Sequence, residues 1–385
     1  MKTILFIHQS AELYGSDKTL LQLVIGMSKK GHKVIVIVPE EGPLTGEFQN
    51  FNIKYIVSPV LKLSRDMFTL KKLSLFVYHF FSSTKTIRRE TKNLNIDCIH
   101  SNTLAVLLGA FYAKLFRIKH LWHVHEIIES PILANKLYRF LVNSFSSKVV
   151  FNSKASFTSL IRDNKNLRAK SSIIYNGIEK PDKLYSLEEI NHFKKEEMNL
   201  ASDTLVIGMV GRISRWKGQI LLLEAFEKLQ KETSGVYLLI VGSPPPGQEH
   251  YLLDLKNLII SKGLETYVQI HPFSPEIWKY WSSIDIAVVP STEPEPFGLV
   301  AIEAMLMGKP VVAAAHGGLT EIIEDKKTGW LFKPNDKNNL YAGLKQLTRD
   351  KTLRNKLGKN AKIDVEKRFS KEKYVQNFSE LYKSM

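Results

Sequence analysis

The chain has 385 residues, of which 44% are hydrophobic and 24% are charged. This composition is typical of globular proteins and excludes a disordered chain, and the length exceeds one ordinary core, so we expect two domains. The formal charge of +16, from 54 basic and 38 acidic side chains, favours anionic partners. Phosphorylated ligands, an acidic membrane surface and nucleic acid all fit this charge, which does not choose among them.

The cysteine content and the apolar runs indicate the compartment. The single cysteine, Cys98, excludes an intrachain disulfide and a cysteine-built metal site, which fits a reducing environment. The apolar run near the first residue is about six residues long, below the roughly 7–15 of a signal-peptide core, and no stretch approaches the ~20 residues of a membrane span. We therefore expect a cytoplasmic protein, either soluble or peripheral on the inner face of the membrane.

Strand and helix signals alternate through the first half of the chain. The pattern predicts a strand over Thr3–His8, a helix over about residues 16–30 and a second strand at "HKVIVIVP". Further strand signals, separated by helical stretches, occur at "IDCIHSN", "HLWHVHE" and "KVVFNS". Nearly continuous apolar strands in a repeated βα pattern indicate a parallel sheet covered on both faces.

The second half repeats the pattern after a break. The turn dipeptide Asn176-Gly177 and a polar stretch around Pro181 predict a linker, and the alternation then runs from "TLVIGMVGR" to "PVVAA". The last twenty residues predict an amphipathic helix with aromatic residues at helical spacing. These are Phe369, Tyr374, Phe378 and Tyr382.

Basic residues follow the strand that ends at Gly211. They are Arg212, Arg215 and Lys217, and a helix begins near Gly218. Ligands of open α/β sheets bind beyond the carboxyl ends of the strands, and a helix N-terminus attracts anions. The segment therefore fits a phosphate site, although solvated loop charges in a basic protein are an equally good interpretation.

Two glutamates lie eight residues apart in "EPEPFGLVAIEAM". Glu295 stands just before the expected helix N-terminus, and Glu303 falls on its second turn. A carboxylate accepts directed hydrogen bonds from sugar or ribose hydroxyls. The alternative is that Glu295 only caps the helix and that Glu303 is solvated. The neighbours of Glu303 are apolar, however, and a buried carboxylate requires a partner.

The strand "HLWHVHE" ends in two histidines and a glutamate. Alternation places His123 and His125 on one face, but together with Glu126 they fall short of a closed metal site. No Asp-x-Asp pair occurs to hold a Mg²⁺–diphosphate complex, so we expect no metal. A structural histidine and an active-site histidine at a strand's carboxyl end both remain open.

Two glycine-bearing loops complete the candidate site. Gly15 opens the first helix in "QSAELYGSDK", where no Gly-x-Gly-x-x-Gly occurs, so a nicotinamide dehydrogenase is disfavoured. The pair Gly317-Gly318 in "AAAHGGLTE" would let backbone N–H groups approach an anion, although Gly-Gly is also common in ordinary loops.

Residues 60–120 form a basic segment, with 11 Lys/Arg against 3 Asp/Glu among apolar residues. An amphipathic patch that faces an anionic membrane and a helix pair with a basic solvent face explain it equally well. No nucleic-acid module surrounds its aromatic residues, so we expect no nucleic acid partner.

Taken in order, these segments resemble the retaining glycosyltransferases of family 4, which have the GT-B fold. The matching pieces span almost the whole chain. They are "YGSDKTLLQL", "VHE", "YNGIE", "GRISRWKGQILLLEAF", "EPFGLVAIEAMLMGKPVV", "HGGLTEII" and "KTGWLF". The first loop departs from the family pattern, because Tyr14 stands where the family often has a second glycine.

The resemblance implies an α/β protein with two Rossmann-like βαβ domains that face each other across a cleft. Residues 1–178, joined by a returning C-terminal helix at 366–385, would form the acceptor-side domain, and residues 179–365 would bind the nucleotide sugar. No cofactor is implied beyond this donor substrate, and the acceptor would be a glycan or a lipid-linked sugar, in the synthesis of cell-surface polysaccharide.

The resemblance also implies roles for individual residues. Arg212 and Lys217 would hold the donor diphosphate and Glu303 the ribose. Glu295 and His125 would be catalytic residues at the transferred sugar. The remaining donor-binding positions implied are Gly15, Phe297, Gly298, Leu299 and Val300. A nucleotide-sugar epimerase or phosphorylase on the same fold, or a catalytically silent nucleotide-binding scaffold, are the alternatives.

Overall fold

The computed structural model describes residues 1–62 and 70–385. It contains two compact units, one formed by Met1–Gly177 with Ser370–Met385 and the other by Ile178–Phe369. We call them the N-terminal unit and the C-terminal unit. Residues 63–69, which belong to the basic segment singled out in the sequence, lie outside the described residues.

The N-terminal unit is built around a parallel sheet that has seven strands within the described residues, in the order β3-β2-β1-β4-β5-β6-β7. The strands are β1 (Thr3–His8), β2 (Lys33–Val38), β3 (Lys54–Val57), β4 (Cys98–Asn102), β5 (Lys119–Val124), β6 (Lys148–Phe151) and β7 (Ser171–Ile173). The helices between them are α1 (Gly15–Lys29), α2 (Pro43–Asn50), α3 (Leu70–Glu90), α4 (Leu108–Phe116), α5 (Ile132–Phe145), α6 (Lys154–Ile161) and α7 (Lys165–Ala169).

The C-terminal unit repeats this plan with a six-stranded parallel sheet in the order β10-β9-β8-β11-β12-β13. The strands are β8 (Leu205–Val210), β9 (Val236–Val241), β10 (Val268–His271), β11 (Ile286–Val289), β12 (Val311–Ala314) and β13 (Trp330–Phe332). The helices are α8 (Leu187–Glu196), α9 (Gln219–Gln230), α10 (His250–Ser261), α11 (Ile277–Ser283), α12 (Leu299–Leu306), α13 (Leu319–Ile322), α14 (Lys337–Arg349) and α15 (Lys351–Arg368).

Both sheets reverse their strand order once, and these reversals position the candidate site. In the N-terminal unit the chain runs outward from β1 to β3 and then returns to the other side of β1 with β4; in the C-terminal unit the reversal lies between β8 and β11. All the pairings are parallel, so the carboxyl ends of neighbouring strands lie at one edge. Ligands of doubly wound sheets bind where the order reverses.

The strands are buried as their apolar runs predict. Every residue of β9 and β11 is buried, and β1, β2 and β5 expose only their first residues. In the N-terminal unit two apolar clusters pack helices against opposite faces of the sheet. In the C-terminal unit one cluster packs α9, α10 and α14 against one face of the sheet, and α12 contacts β11 and β12. No helix among the described residues is long and apolar enough to cross a membrane.

The C-terminal helix differs in part from its prediction. The sequence pattern predicts one helix over residues 366–385, but α15 ends at Arg368 and a new helix, α16 (Lys371–Ser384), begins after Ser370. The Ser370 hydroxyl accepts the backbone N–H of Lys373 at 3.3 Å, which caps α16. Phe369 therefore lies between the helices, and the prediction that it shares the helical stripe is wrong.

Helix α16 packs against α1, as the predicted return of the C-terminal helix to the first domain requires. A Cβ atom added to Gly26 of α1 would lie 2.5 Å from Cγ2 of Val375, so the two helices approach as closely as glycine allows. Tyr382 of α16 is fully buried, and its hydroxyl is hydrogen-bonded to Nδ1 of His100 at 2.5 Å.

The Tyr382 contact predicts a stability effect. Burial holds the pKa of His100 well below its usual value, so the ring is neutral, and its Nε2 has no partner within the described part of the chain. Tyr382→Phe leaves Nδ1 unpaired too, and we expect it to lower the free energy of unfolding by about 1–3 kcal/mol. Tyr78→Phe is the matched control, because Tyr78 is 66% exposed. Equal urea midpoints for the two variants would contradict the role of this hydrogen bond.

Candidate functional site

A nearly buried ion pair lies beyond the carboxyl ends of β8 and β11, where the strand order of the C-terminal unit reverses. Nζ of Lys217 is 2.6 Å from Oε1 of Glu295, and the two side chains are only 14% and 6% exposed. The same oxygen accepts the hydroxyl of Ser291 at 2.6 Å. Lys217 also lies 4.2 Å from the ring centroid of Trp216, a cation–π contact. We call Lys217, Ser291 and Glu295 the lysine–glutamate cluster.

A glycine allows the two strand ends to approach. Gly218 precedes the first residue of α9 with a φ of 85°, a value that side-chain-bearing residues rarely adopt. A Cβ atom at this position would lie 2.1 Å from the carbonyl oxygen of Pro290. The backbone N–H of Thr292 donates to the carbonyl of Trp216 at 2.8 Å. The loop after β8 is thus fixed against the loop after β11, which brings Lys217 to Glu295.

The paired glycines after β12 seat the backbone of Glu295. Gly317 has a φ of 58°, and a Cβ atom there would lie 2.3 Å from the carbonyl oxygen of Glu295. Gly318 donates its N–H to that oxygen at 2.7 Å, and its own Cβ would lie 2.6 Å from Cα of Phe297. The Gly-Gly pair is expected from the sequence to allow a close approach of its backbone to an anion. In the structure both glycines lie close to the backbone of Glu295 and Phe297.

The other predicted acidic and basic residues stand in the loop after β8 and on α12. Arg212 follows β8, is exposed, and accepts the side-chain N–H of Gln219 on its carbonyl at 2.7 Å. Glu303 is half-buried on the second turn of α12 and accepts the indole N–H of Trp281 at 3.2 Å, so this carboxylate has the kind of partner that its apolar neighbours require. Arg215 forms an exposed ion pair with Glu293.

Of the four positions that precede or begin α12, Phe297 and Gly298 are buried, and Leu299 and Val300 are half-buried. Phe297 is 3% exposed, and its ring packs edge-to-face on Phe369 with centroids 5.6 Å apart. Gly298 caps the helix with a φ of 117°, and a Cβ there would lie 2.7 Å from the side chain of Leu319. Leu299 and Val300 form the first turn, so the N–H groups of this turn point out of the helix N-terminus.

In the N-terminal unit, His125 follows β5 and is linked to three polar side chains. Its Nε2 lies 2.9 Å from Oδ1 of Asn102, and Nδ2 of Asn102 lies 3.0 Å from Nδ1 of His8. Nε2 of His8 lies 2.6 Å from Oδ1 of Asp17. We call Asp17, His8, Asn102 and His125 the polar chain. Burial lowers the pKa of His125 to about 3, so its ring is neutral at pH 7.

The first strand-to-helix loop closes on the polar chain. Gly15 is the first residue of α1, as predicted, and Tyr14 is its N-cap. The backbone N–H of Tyr14 donates to Oδ2 of Asp17 at 2.9 Å, and the hydroxyl of Ser10 donates to Oδ1 at 2.5 Å. Asp17 therefore fixes both the start of the helix and the orientation of His8.

His123 is a core residue. It is fully buried, burial holds its pKa well below the usual value, and neither ring nitrogen has a partner within the described ranges. Its ring centroid lies 4.0 Å from that of His125. Among residues 1–62 and 70–385, no group of three or more His, Cys, Asp or Glu side chains is arranged to hold a metal ion.

Several residues at these positions were not identified from the sequence. His8 and Asn102 pair across β1 and β4 at the reversal of strand order, and each is the last residue of a predicted strand, which is the signal that could have found them. Trp281 contacts Glu303, but no spacing rule connects α11 with α12. Ser291 contacts Glu295 within the loop after β11.

Comparisons with known proteins give the class and then the family. The two parallel sheets match the GT-B fold of a solved structure, the Anabaena protein HepE in complex with UDP-glucose, with a TM-score of 0.88 and 26% identity over 100% of both chains. Residues 14–180 match the model named Glycosyltransferase Family 4, and residues 191–364 match the model named Glycosyl transferases group 1. The chain belongs to the family 4 glycosyltransferases.

Two relatives match this chain over about half of its length. The lipopolysaccharide 1,2-N-acetylglucosaminetransferase of Salmonella typhimurium is 30% identical over 49% of this chain and 51% of its own length. An uncharacterised glycosyltransferase of Methanocaldococcus jannaschii is 33% identical over 56% of this chain and 54% of its own length. The chain thus spans about half the length of these two relatives.

Glu126, beside His125, ties the ends of β4 and β5 together. Its carboxylate accepts the backbone N–H of Leu104 at 3.1 Å and that of His125 at 2.9 Å. Thr103, which precedes Leu104, has a φ of 90°, a strained value for a β-branched residue. Burial raises the pKa of Glu126 to about 7, against the lowering effect of these backbone hydrogen bonds.

The raised pKa predicts a pH-dependent stability. Between about pH 4.5 and pH 7 the folded protein holds a proton on Glu126 that the unfolded chain releases, so stability falls as pH rises through this window. Glu126→Gln has no carboxyl group to ionise at this position. We therefore expect its free energy of unfolding to fall less than that of the wild type between pH 4.5 and pH 7, by on the order of 1–3 kcal/mol. Urea unfolding at pH 4.5, 6 and 7.5 measures it, and Glu129→Gln, at an exposed neighbouring position, is the control. If Glu126→Gln keeps the wild-type pH slope, the carboxyl is not protonated in the folded state.

Proposed function

We propose that this chain transfers a sugar from a UDP-sugar donor to a glycan or lipid-linked acceptor, with retention of the anomeric configuration and without a metal. The observation that carries the proposal is the lysine–glutamate cluster at the reversal of strand order in the C-terminal unit. It combines a cation, a carboxylate and two helix N-termini at the edge where doubly wound sheets bind nucleotides.

The relatives support the donor and acceptor classes. HepE, which is similar over the full chain, was solved with UDP-glucose, and this favours a UDP-sugar for our chain. The Salmonella relative is by its name a lipopolysaccharide N-acetylglucosaminetransferase, and this favours a growing glycan or a lipid-linked sugar in cell-surface polysaccharide synthesis as the acceptor.

The charges of Lys217 and Arg212 are suited to the leaving group. Lys217 has three N–H donors and gives one to Glu295, so two remain for the donor phosphates. Because Glu295 is paired with Lys217, Arg212 would add a second cation to the phosphate site. When the bond to the anomeric carbon breaks, negative charge grows on the β-phosphate, and both cations would stabilise it in the transition state.

The carboxylates are suited to hydroxyl groups. Within the described residues Glu295 receives both of its side-chain hydrogen bonds on Oε1, so Oε2 is available to a hydroxyl of the transferred sugar and to the positive charge that develops on its ring. Glu303 would hold the ribose hydroxyls. The backbone of Phe297–Val300 would lie beside the sugar, Gly15 near the phosphates, and His125 would accept a hydroxyl at the reaction centre.

Donor affinity tests the phosphate assignment. We expect Arg212→Ala and Lys217→Ala each to weaken the binding of UDP-glucose by about 1.5–3 kcal/mol in calorimetry, because each removes a charge-assisted contact to phosphate. Arg215→Ala is the matched control, since this side chain lies in the same loop but is 65% exposed and paired with Glu293. Unchanged affinity in the first two variants would refute the phosphate site.

Turnover separates sugar transfer from the other activities that this fold can host. Purified protein is incubated with UDP-glucose and with UDP-N-acetylglucosamine, with and without membrane glycolipid acceptors. A transferase releases UDP only when an acceptor is present, an epimerase changes the sugar without one, and a phosphorylase requires inorganic phosphate. Binding without any turnover, equal in wild type and Glu295→Gln, would indicate a silent scaffold.

Contact with an anionic membrane is a further part of the proposal. Helix α3 exposes several large apolar side chains and α5 exposes others, and residues of α3, α4 and α5 line a groove of about 460 Å³. Basic residues on α3 and α4 are exposed as well. This combination is typical of helices that insert an apolar face between anionic lipids. The exposed apolar residues are Leu73, Leu75, Val77, Tyr78 and Phe81 on α3 and Ile132, Leu133, Leu137 and Phe140 on α5.

Co-sedimentation with vesicles tests this contact. We expect the wild type to bind vesicles that contain phosphatidylserine and not pure phosphatidylcholine, and the variant Tyr78→Ser/Phe81→Ser/Arg88→Gln/Arg89→Gln to lose most of this binding. Lys351→Gln/Lys356→Gln removes two exposed charges from α15 and is the control. Equal binding by all three proteins would exclude the patch. Lys71 and Lys72 belong to the basic segment, but their side chains are outside the described part of the chain.

A further inference from the structure

The polar chain connects the first strand-to-helix loop with His125 through side chains that have little contact with solvent. His8, Asp17 and Asn102 are each 0–1% exposed, and their hydrogen bonds span 2.6–3.0 Å. They stand at the carboxyl ends of β1 and β4 and in the first turn of α1. Because water is excluded from most of the polar chain, each group must form its hydrogen bond with its neighbour in this chain. The direction of each hydrogen bond therefore depends on the previous one.

The direction starts at Asp17. An ionised carboxylate can only accept hydrogen bonds, so Nε2 of His8 must donate to Oδ1 of Asp17. The other nitrogen of His8, Nδ1, lies 3.0 Å from Nδ2 of Asn102. An NH₂ group can only donate, so Nδ1 accepts and carries no proton, and this contact fixes the orientation of the amide.

The amide passes the constraint to His125. With its NH₂ towards His8, Asn102 presents its oxygen to Nε2 of His125 at 2.9 Å, and an amide oxygen can only accept. Nε2 of His125 must therefore carry the proton. The ring is neutral at pH 7, because burial lowers its pKa to about 3, and so Nδ1 has a lone pair.

We propose that Asp17, His8 and Asn102 are positioning residues that hold His125 in its Nε2–H tautomer, with Nδ1 as a hydrogen-bond acceptor. The part of this inference that concerns a sugar hydroxyl as the donor to Nδ1 rests on the proposed function. The tautomer itself does not, because it follows from hydrogen bonds within one unit.

One substitution is expected to reverse the whole chain. In Asp17→Asn, the backbone N–H of Tyr14 still requires an acceptor at the Oδ2 position, so the introduced amide must direct its NH₂ towards His8. Nε2 of His8 then accepts, Nδ1 donates, Asn102 rotates its amide, and its NH₂ faces His125. His125 should change from Nε2–H to Nδ1–H.

Nitrogen NMR of ¹⁵N-histidine-labelled protein reads the tautomer directly, without donor or acceptor sugar. The His125 signals are assigned by their loss in His125→Gln. We expect Nε2–H in the wild type and Nδ1–H in Asp17→Asn. Asp97→Asn is the control, because Asp97 accepts the N–H of Thr3 at the opposite end of β1 and should leave the tautomer unchanged.

A second substitution should restore the original tautomer. In Asp17→Asn/Asn102→Asp, the carboxylate is moved between the two histidines, so the number of buried charges is the same as in the wild type. An acceptor-only group at position 102 forces His125 to donate from Nε2 again. A merely structural role for Asp17 predicts no such restoration.

The same variants are then tested for turnover. We expect Asp17→Asn to lower kcat by tenfold or more with little change in KM for the donor, and the double variant to recover part of kcat. An Nδ1–H tautomer in the wild type, or an unchanged tautomer in Asp17→Asn, would overturn the positioning role, and the wild-type spectrum decides this even if no variant folds. A reversed tautomer with unchanged kcat would overturn only the part that depends on sugar transfer.

Discussion

The ion pair between Lys217 and Glu295 is the contact on which the candidate donor site depends. A carboxylate on a side chain that is only 6% exposed requires compensation for its lost hydration, and here an ammonium and the Ser291 hydroxyl provide it on one oxygen. The pair is possible only because Gly218 and the Gly317-Gly318 turn allow three loops to approach closely. A cation and an acid are thus held together at the edge of the sheet.

The N-terminal unit uses a different device to orient its polar groups. The ring of His125 is neutral, and its environment is set by hydrogen bonds that begin at Asp17. A neutral imidazole can accept a proton or a hydrogen bond without first losing a charge. The arrangement therefore suits contact with sugar hydroxyls, whereas the C-terminal unit suits contact with phosphates.

Both devices lie where the parallel sheets reverse their strand order, and this constraint explains why so few residues suffice. The connections that follow the two strands at the reversal run away from each other, and this leaves a crevice at the carboxyl ends of these strands. Side chains at the last position of β1 and β4 meet there in register, as His8 and Asn102 do. The loops after β8 and β11 meet in the same way and bring together residues that are 78 positions apart.

The sequence by itself determined the alternation of strands and helices and the two-unit plan, because these follow from local periodicity. It also determined the family and most charged positions near a helix N-terminus in the C-terminal unit, because these follow from short motifs. It did not determine that Phe369 leaves the last helix, since a serine cap outweighs the apolar spacing. Only the tertiary structure decided which side chains meet. The partners of Glu295, Glu303 and His125 come from other strands and helices, and hydrogen-bond direction passes through space and not along the chain.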